Sequence, residues 1–169
     1  MSDRYYAGIG ARSAPEEALG AMRRLATSLR ENGWVLRSGG AQGSDRAFES
    51  AAGRDKEVMT PRNMGMTSGG VATPPRWEVR TISPFCLEYP IEQMKPYVQA
   101  LLARNAMIVV GVAGDCHVDF VVCWTPTDDP CDPQAGGTRY ACRLASSLGI
   151  PVFNLKTCTA ESILREVTS

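Results

Sequence analysis

Three short stretches carry residue types that could hold an anion. They are Gly8-Ile9-Gly10-Ala11-Arg12-Ser13, Ser38-Gly39-Gly40-Ala41-Gln42-Gly43-Ser44-Asp45 and Ala135-Gly136-Gly137-Thr138. Each follows an apolar or strand-like run and precedes a segment with helical spacing, so each reads as a turn from strand into helix. Such a turn aims unpaired backbone N–H groups and the positive end of a helix at one spot, and phosphate is the anion it favours. Glycine permits the positive φ and the close backbone approach that this needs. Arg12 can grip a phosphate, and the hydroxyls of Ser13, Ser38, Ser44 and Thr138 can donate to one. Asp45, at the head of its helix, can accept from a ribose hydroxyl. The plain alternatives are tight turns that bind nothing, a solvated arginine, capping hydroxyls, and an aspartate that only balances a helix dipole. One glycine turn is a cheap coincidence. Three that meet at one sheet edge favour a ligand with phosphate, sugar and base.

No residue stands out as a catalyst. Glu49 and Glu88 are the nearest alternative carboxylates for a catalyst, and nothing in the pattern puts either in a crevice. His117 follows Cys116, with Cys123 and Cys131 nearby, but no Cys-x-x-Cys pair exists to start a zinc site. A cysteine nucleophile with an adjacent histidine base is awkward, because neighbours on a strand point to opposite faces. Asp115, Asp128, Asp129 and Asp132 read as an exposed acidic loop. The expectation is no metal site and no cofactor beyond the ligand itself.

The elements that must position these turns alternate. Tyr5–Gly8 reads as a first strand. A helix follows with Leu19, Met22, Leu25, Ala26 and Leu29 on one face, opened by Ser13 as cap with Glu16 three residues on, and stopped by Gly33. Trp34–Leu36 is a second strand, and Ala47, Phe48, Ala51 and Ala52 line the helix after it. A short third strand is expected around Val58–Met59. Residues 90–104 return to helical spacing. Ala106–Val112 has strand composition but could also prolong that helix. Val118–Trp124 is nearly all apolar, as a strand covered on both faces should be. Thr138–Leu148 forms a helix, Ile150–Leu155 the last strand, and Thr159 caps a terminal helix. Strand, helix and strand in about thirty residues fit a right-handed βαβ unit. The fold class expected is α/β, a Rossmann-like three-layer domain with a mostly parallel sheet. Residues 1–169 read as one domain, with a long irregular insertion at 61–84 whose Arg62, Arg76, Trp77 and Arg80 could close over a base or phosphate.

Composition limits the partners. The 18 basic residues balance the 18 acidic ones, so net charge gives little support to nonspecific nucleic-acid binding. Arginine far outnumbers lysine, which leaves room for a local basic face. No apolar run is long enough to span a bilayer, so no membrane partner is expected, and the N-terminus lacks a signal layout. Six cysteines without a secretion signal point to reduced thiols and a cytoplasmic setting.

GIGARSAP, RSGGAQGSD and AGGTRYACRLASSLGIPVFNL together resemble the DprA-like branch of the SLOG superfamily, in particular its small stand-alone members common in phages and prophages. The resemblance covers most of the chain and is weakest at about 55–90. It implies a Rossmann-like fold that binds nucleotide-derived ligands, and a bacterial host cytoplasm where phage-encoded. Its phosphate-contacting positions fall on Gly8, Gly10, Arg12, Ser38, Gly39, Gly40, Gly136, Gly137 and Thr138, and Asp45 ends the DprA-type SGxAxGxD pattern. The LOG enzymes of the superfamily carry PGGxGTxxE, whose glutamate assists N-glycosidic cleavage. Here that glutamate has no counterpart at matching spacing. The first function expected is therefore binding, to sense or sequester a nucleotide-derived small molecule such as an ADP-ribose-type signal. The alternatives are a LOG-like hydrolase of N-glycosidic or phosphate bonds, and a DprA-like single-stranded DNA binder using Arg12, Arg37, Arg62, Arg76 and Arg80. Self-association into a homo-oligomer is expected through the apolar faces of the first and fourth helices, which would serve equally well as core.

Overall fold

The computed structural model describes residues 3–60 and 90–169. The expected insertion at 61–84, with Arg62, Arg76, Trp77 and Arg80, lies outside the described residues, as does Glu88. In chain order the elements are β1 (Arg4–Gly8), α1 (Glu16–Glu31), β2 (Trp34–Ser38), α2 (Ser44–Ala51), β3 (Lys56–Val58), α3 (Pro96–Val110), β4 (Phe120–Cys123), α4 (Thr138–Ser147), β5 (Val152–Asn154) and α5 (Ala160–Thr168), with single 3-10 turns at Ile91–Gln93 and Pro133–Ala135.

All five strands are parallel, in the order β3-β2-β1-β4-β5. Tyr6 of β1 sits between Leu36 of β2 and Phe120 of β4. The chain builds outward from β1 to β3, then returns to the other side of β1. The strand order thus reverses between β1 and β4, and a crevice opens beyond their carboxyl ends. Helices cover both faces, which explains why the strands are apolar runs rather than alternating ones. On one face α1, α2 and α5 bury Met22, Leu25, Leu29, Phe48 and Ile163 against Tyr6, Leu36 and Phe120. On the other, α3 and α4 bury Leu102, Met107, Val109 and Leu144 against Ala7 and Val121. Each such large apolar side chain, taken fully out of water, stabilises the fold by roughly 1.5–3 kcal/mol. The apolar faces of α1 and α4, considered above for self-association, are spent on this core.

Several boundaries differ from expectation. Ser13 is exposed and does not cap α1. Pro15 holds the cap position with no side-chain hydrogen bond, and the helix starts at Glu16. Of the two readings open for residues 106–112, strand or continued helix, the structure takes the helix as far as residue 110: Ala106, Met107, Ile108, Val109 and Val110 are all buried at the end of α3. A helix end enclosed on every side loses its polar face, and with it the period that distinguishes it from a strand. Gly111, at φ +85°, ends the helix where a side chain would be strained. The strands β4 and β5 are shorter than their apolar runs. Thr159 does cap α5, its Oγ1 accepting from the Ser162 amide at 3.1 Å. Among the described residues no helix is long and apolar enough to cross a membrane.

One aromatic cluster carries an unpaid polar cost. Phe120 stacks on Tyr6 at 5.7 Å and meets Trp34 edge-on at 4.9 Å. The Tyr6 hydroxyl and the Trp34 indole N–H are buried there with no hydrogen-bond partner among the described residues.

Candidate functional site

The first two glycine turns are built into each other. The Ser38 hydroxyl donates to the Gly8 carbonyl at 2.7 Å, and the Ser44 hydroxyl donates to the Ala11 carbonyl at 2.7 Å. The amides of Ile9 and Ala11 donate to the carbonyls of Val122, near the end of β4, and Trp124, just past it, at 3.1 and 3.0 Å. A Cβ on Gly10 would lie 2.6 Å from the Ser44 Oγ, and one on Gly8 would lie 2.6 Å from the Phe48 ring. A Cβ on Gly43 would lie 2.5–2.8 Å from backbone atoms of Arg12, at a φ of +80° that already favours glycine. These glycines let the protein pack against itself.

The second turn also holds its own anions. The Gly40 amide donates to Glu49 Oε1 at 2.8 Å, and the Ala41 amide donates to Asp45 Oδ2 at 3.3 Å. Asp45 is only 5 % exposed. Burial raises its carboxyl from the ordinary 3.8 to about 6, against the opposing pull of the Arg104 guanidinium and the amides of Ala41 and Gly39, with Glu49 adding to the rise. Burial likewise raises Glu49, opposed by the Gly40 amide and the Ser38 hydroxyl. Burial lowers Arg104, and Asp45 opposes that. Both members of the Asp45–Arg104 pair thus shift toward neutrality, as expected where desolvation outweighs attraction. Arg104 Nη1 also donates to the Gly39 carbonyl at 2.6 Å. Ser38, Gly39, Gly40 and Ser44, expected as ligand contacts, are therefore occupied internally and do not line the crevice. Gly8 is packed beneath Phe48 and Leu36.

What remains open is a cleft of about 420 Å³ between the first turn, the third turn and α3. Gly10 and Arg12 contribute from the first turn, with Ile9 and Ala11. Asp45 lies at its floor beside Arg104. Gly136, Gly137, Thr138 and Tyr140 form the opposite side, and Val98, Leu101, Leu102, Asn105 and Ile108 of α3 form the wall. Ser13 is not among these residues. The third turn differs from the other two. A Cβ on Gly136 or Gly137 would meet nothing within 4 Å among the described residues. Gly136 needs its glycine for φ +82°, but Gly137 has ordinary helical angles, φ −63° and ψ −27°. The amides of Gly137 and Thr138 precede the first bonds of α4, whose earliest donors are Arg139 to Gly136 and Tyr140 to Gly137 at 3.2 and 3.3 Å. The Arg139 guanidinium lies over the Tyr140 ring at 4.2 Å and donates to the Gly136 carbonyl at 2.6 Å, which shapes the rim. This arrangement can take an anion at the third turn and Arg12, and a flat apolar group against α3 and Tyr140.

Arg37 is not part of any exposed arginine face. It is 3 % exposed, lies over the Tyr5 ring at 4.0 Å, and donates to Glu57 at 2.7 Å and to the Cys116 carbonyl at 2.5 Å. The thiols of Cys116, Cys123, Cys131, Cys142 and Cys158 are free, and Cys123 and Cys142 are buried 3.9 Å apart. Asp129 and Asp132 receive the amides of Cys131 and Gln134 within their own loop, and no metal-binding cluster occurs among the described residues. The residues that the sequence reading missed are Arg104 and Asn105. The signal was a charged and an amide side chain set together in an otherwise apolar stretch of helix.

No protein-family model and no curated protein matches the chain. Solved structures do, among them two of DNA processing protein A. DNA processing protein A from Helicobacter pylori, described for its single-stranded DNA binding mode, matches with a TM-score of 0.60 at 19 % identity, covering 99 % of this chain and 74 % of that one. DNA processing protein A (DprA) from Streptococcus pneumoniae matches with a TM-score of 0.53 at 16 % identity, covering 89 % of this chain and 49 % of that one. This chain therefore spans about half the length of the Streptococcus protein. The fold is DprA-like and Rossmann-like.

Proposed function

We propose that this DprA-like fold binds a nucleotide or nucleotide-derived molecule in the cleft between its first and third turns, sensing or sequestering it rather than cleaving it. The phosphate sits on the amides of Gly137 and Thr138 with Arg12 across from it, and the base lies against Leu101, Ile108 and Tyr140. The observation that carries this reading is the empty space over Gly137. Among the described residues neither its backbone angles nor any neighbour requires a glycine there, whereas a phosphate resting on the backbone does. An ADP-ribose-type signal fits the same chemistry, with one end reaching out of the open cleft. The binding reading is favoured over hydrolysis because the one carboxylate lining the cleft among the described residues, Asp45, is committed to the amide of Ala41 and to Arg104. Calorimetric titration with nucleoside monophosphates, ADP-ribose and the matching phosphate-free nucleosides tests it. Heat of binding is expected from the phosphate-bearing members alone, with no free base released on chromatography. Equal binding of nucleosides overturns the phosphate assignment, and released base restores the hydrolase alternative.

A second reading is favoured by the Helicobacter neighbour, whose structure was described for single-stranded DNA binding. In that case the same cleft would take one nucleotide unit of a strand. The two readings separate by salt. A strand that spans several cations releases counterions, so its affinity falls steeply with added salt, while a single nucleotide changes little. Titration with a short oligodeoxynucleotide at two salt concentrations measures the difference.

A further inference from the structure

We propose that Asn105, with its neighbour Arg104, is a positioning strut that holds the third turn in register with the filled second turn. The proposal rests on the cleft being the phosphate site described above. Successive helix residues point about 100° apart, so two adjacent side chains of α3 can reach in two directions. Arg104 Nη1 reaches the Gly39 carbonyl of the second turn at 2.6 Å. Its Nε donates to Asn105 Oδ1 at 2.9 Å. Asn105 Nδ2 in turn donates to the Gly137 carbonyl of the third turn, a longer bond at 3.4 Å. A continuous line of hydrogen bonds therefore runs from Gly39 to Gly137 across the wall of the cleft. Among the described residues, and apart from the main-chain bonds of α4 and the reach of Arg139, Asn105 is the group that fixes a carbonyl of the open turn to a different element. Fixing the Gly137 carbonyl orients its whole peptide plane, and with it the N–H of Thr138, since the peptide unit is rigid.

Asn105→Ala removes the strut and leaves Arg104, Asp45 and every donor to the ligand in place. Asn105→Gln, which keeps an amide, serves as the rescue. Two readouts are needed. The first is affinity for a nucleoside monophosphate, expected to fall about five- to tenfold in Asn105→Ala, the size of one lost hydrogen bond, and to recover in part in Asn105→Gln. The second is amide hydrogen exchange at Gly137 and Thr138 without ligand, expected to quicken in Asn105→Ala while exchange in β1 and β4 stays as in the parent. Unchanged exchange at both amides overturns the strut even if the parent binds monophosphate. Quickened exchange in a protein whose parent binds no monophosphate supports the strut and overturns the phosphate reading instead. A general quickening across the sheet shows a structural role only and overturns the proposal.

Discussion

In the second turn the amides of Gly40 and Ala41 reach the carboxylates of Glu49 and Asp45; in the third, the space over Gly136 and Gly137 is open. As strings of letters, SGG and AGG are near twins. The difference lies in what the following helix sends back. In α2, Asp45 and Glu49 are four residues apart, so they share a face, and helix side chains lean toward the N-terminus. Both carboxylates therefore fold back onto the turn that precedes their own helix. The helix after the third turn begins Thr-Arg-Tyr-Ala-Cys, with no acid to fold back. On the binding reading proposed above, a turn that supplies its own anion is scaffold, and one that lacks an anion is left for a ligand.

The sharpest way to break this contrast is to place a methyl group in each turn. Gly43→Ala drives a Cβ to within 2.5–2.8 Å of the Arg12 backbone at φ +80°. It is expected to cost about 2–4 kcal/mol of stability, read as a lowered urea midpoint. The pH dependence of the filled turn comes next. Asp45 titrates near 3.8 when unfolded and at about 6 when folded. The native state thus holds the extra proton between those values, and stability falls as pH rises from about 4 to 6. The contribution is on the order of 1–3 kcal/mol. Asp45→Asn is expected to flatten that part of the denaturation-versus-pH curve. An unchanged slope would place the carboxyl in contact with water.

Gly137→Ala is the counterpart in the open turn. Its angles suit alanine, so stability is expected to hold or rise by up to about 1 kcal/mol, while affinity for a nucleoside monophosphate falls about tenfold. Should stability fall and affinity hold, the two turns would be alike after all. The smallest effect belongs to Tyr6→Phe. Removing a buried hydroxyl that bonds to nothing among the described residues is expected to leave the melting temperature unchanged or slightly raised.

The layered α/β fold was readable from the sequence because glycine turns punctuate apolar runs of strand length, and amphipathic helices separate them. The residues 106–110 were not, since burial on all sides erases periodicity. The site was half legible. Gly10, Arg12, Asp45, Gly136, Gly137 and Thr138 do meet at one cleft, because the strand order brings the ends of β1 and β4 together. Ser38, Gly39, Gly40 and Ser44 misled because a glycine or serine in a turn reads the same whether its partner is a ligand or the protein. Only the spacing of Asp45 and Glu49 held that information. Arg104 and Asn105 stood out only as polar side chains in an apolar stretch of helix, and their role depends on where α3 docks, which that local signal does not encode.

The pairing of β1 with β4 has a consequence for how the molecule comes together. The backbone of Tyr5 exchanges hydrogen bonds with Asp119, 114 positions away, at 2.8 Å to the main chain and 3.2 Å to the side chain. The strands β1 to β3 and their two helices can assemble from near neighbours, but closing so long a loop is slow. On the ribosome, the half with the self-filled turn would condense while the binding half is still being made. The cleft would therefore be the last part of the molecule to exist, and a chain arrested after β3 would present the first turn facing nothing.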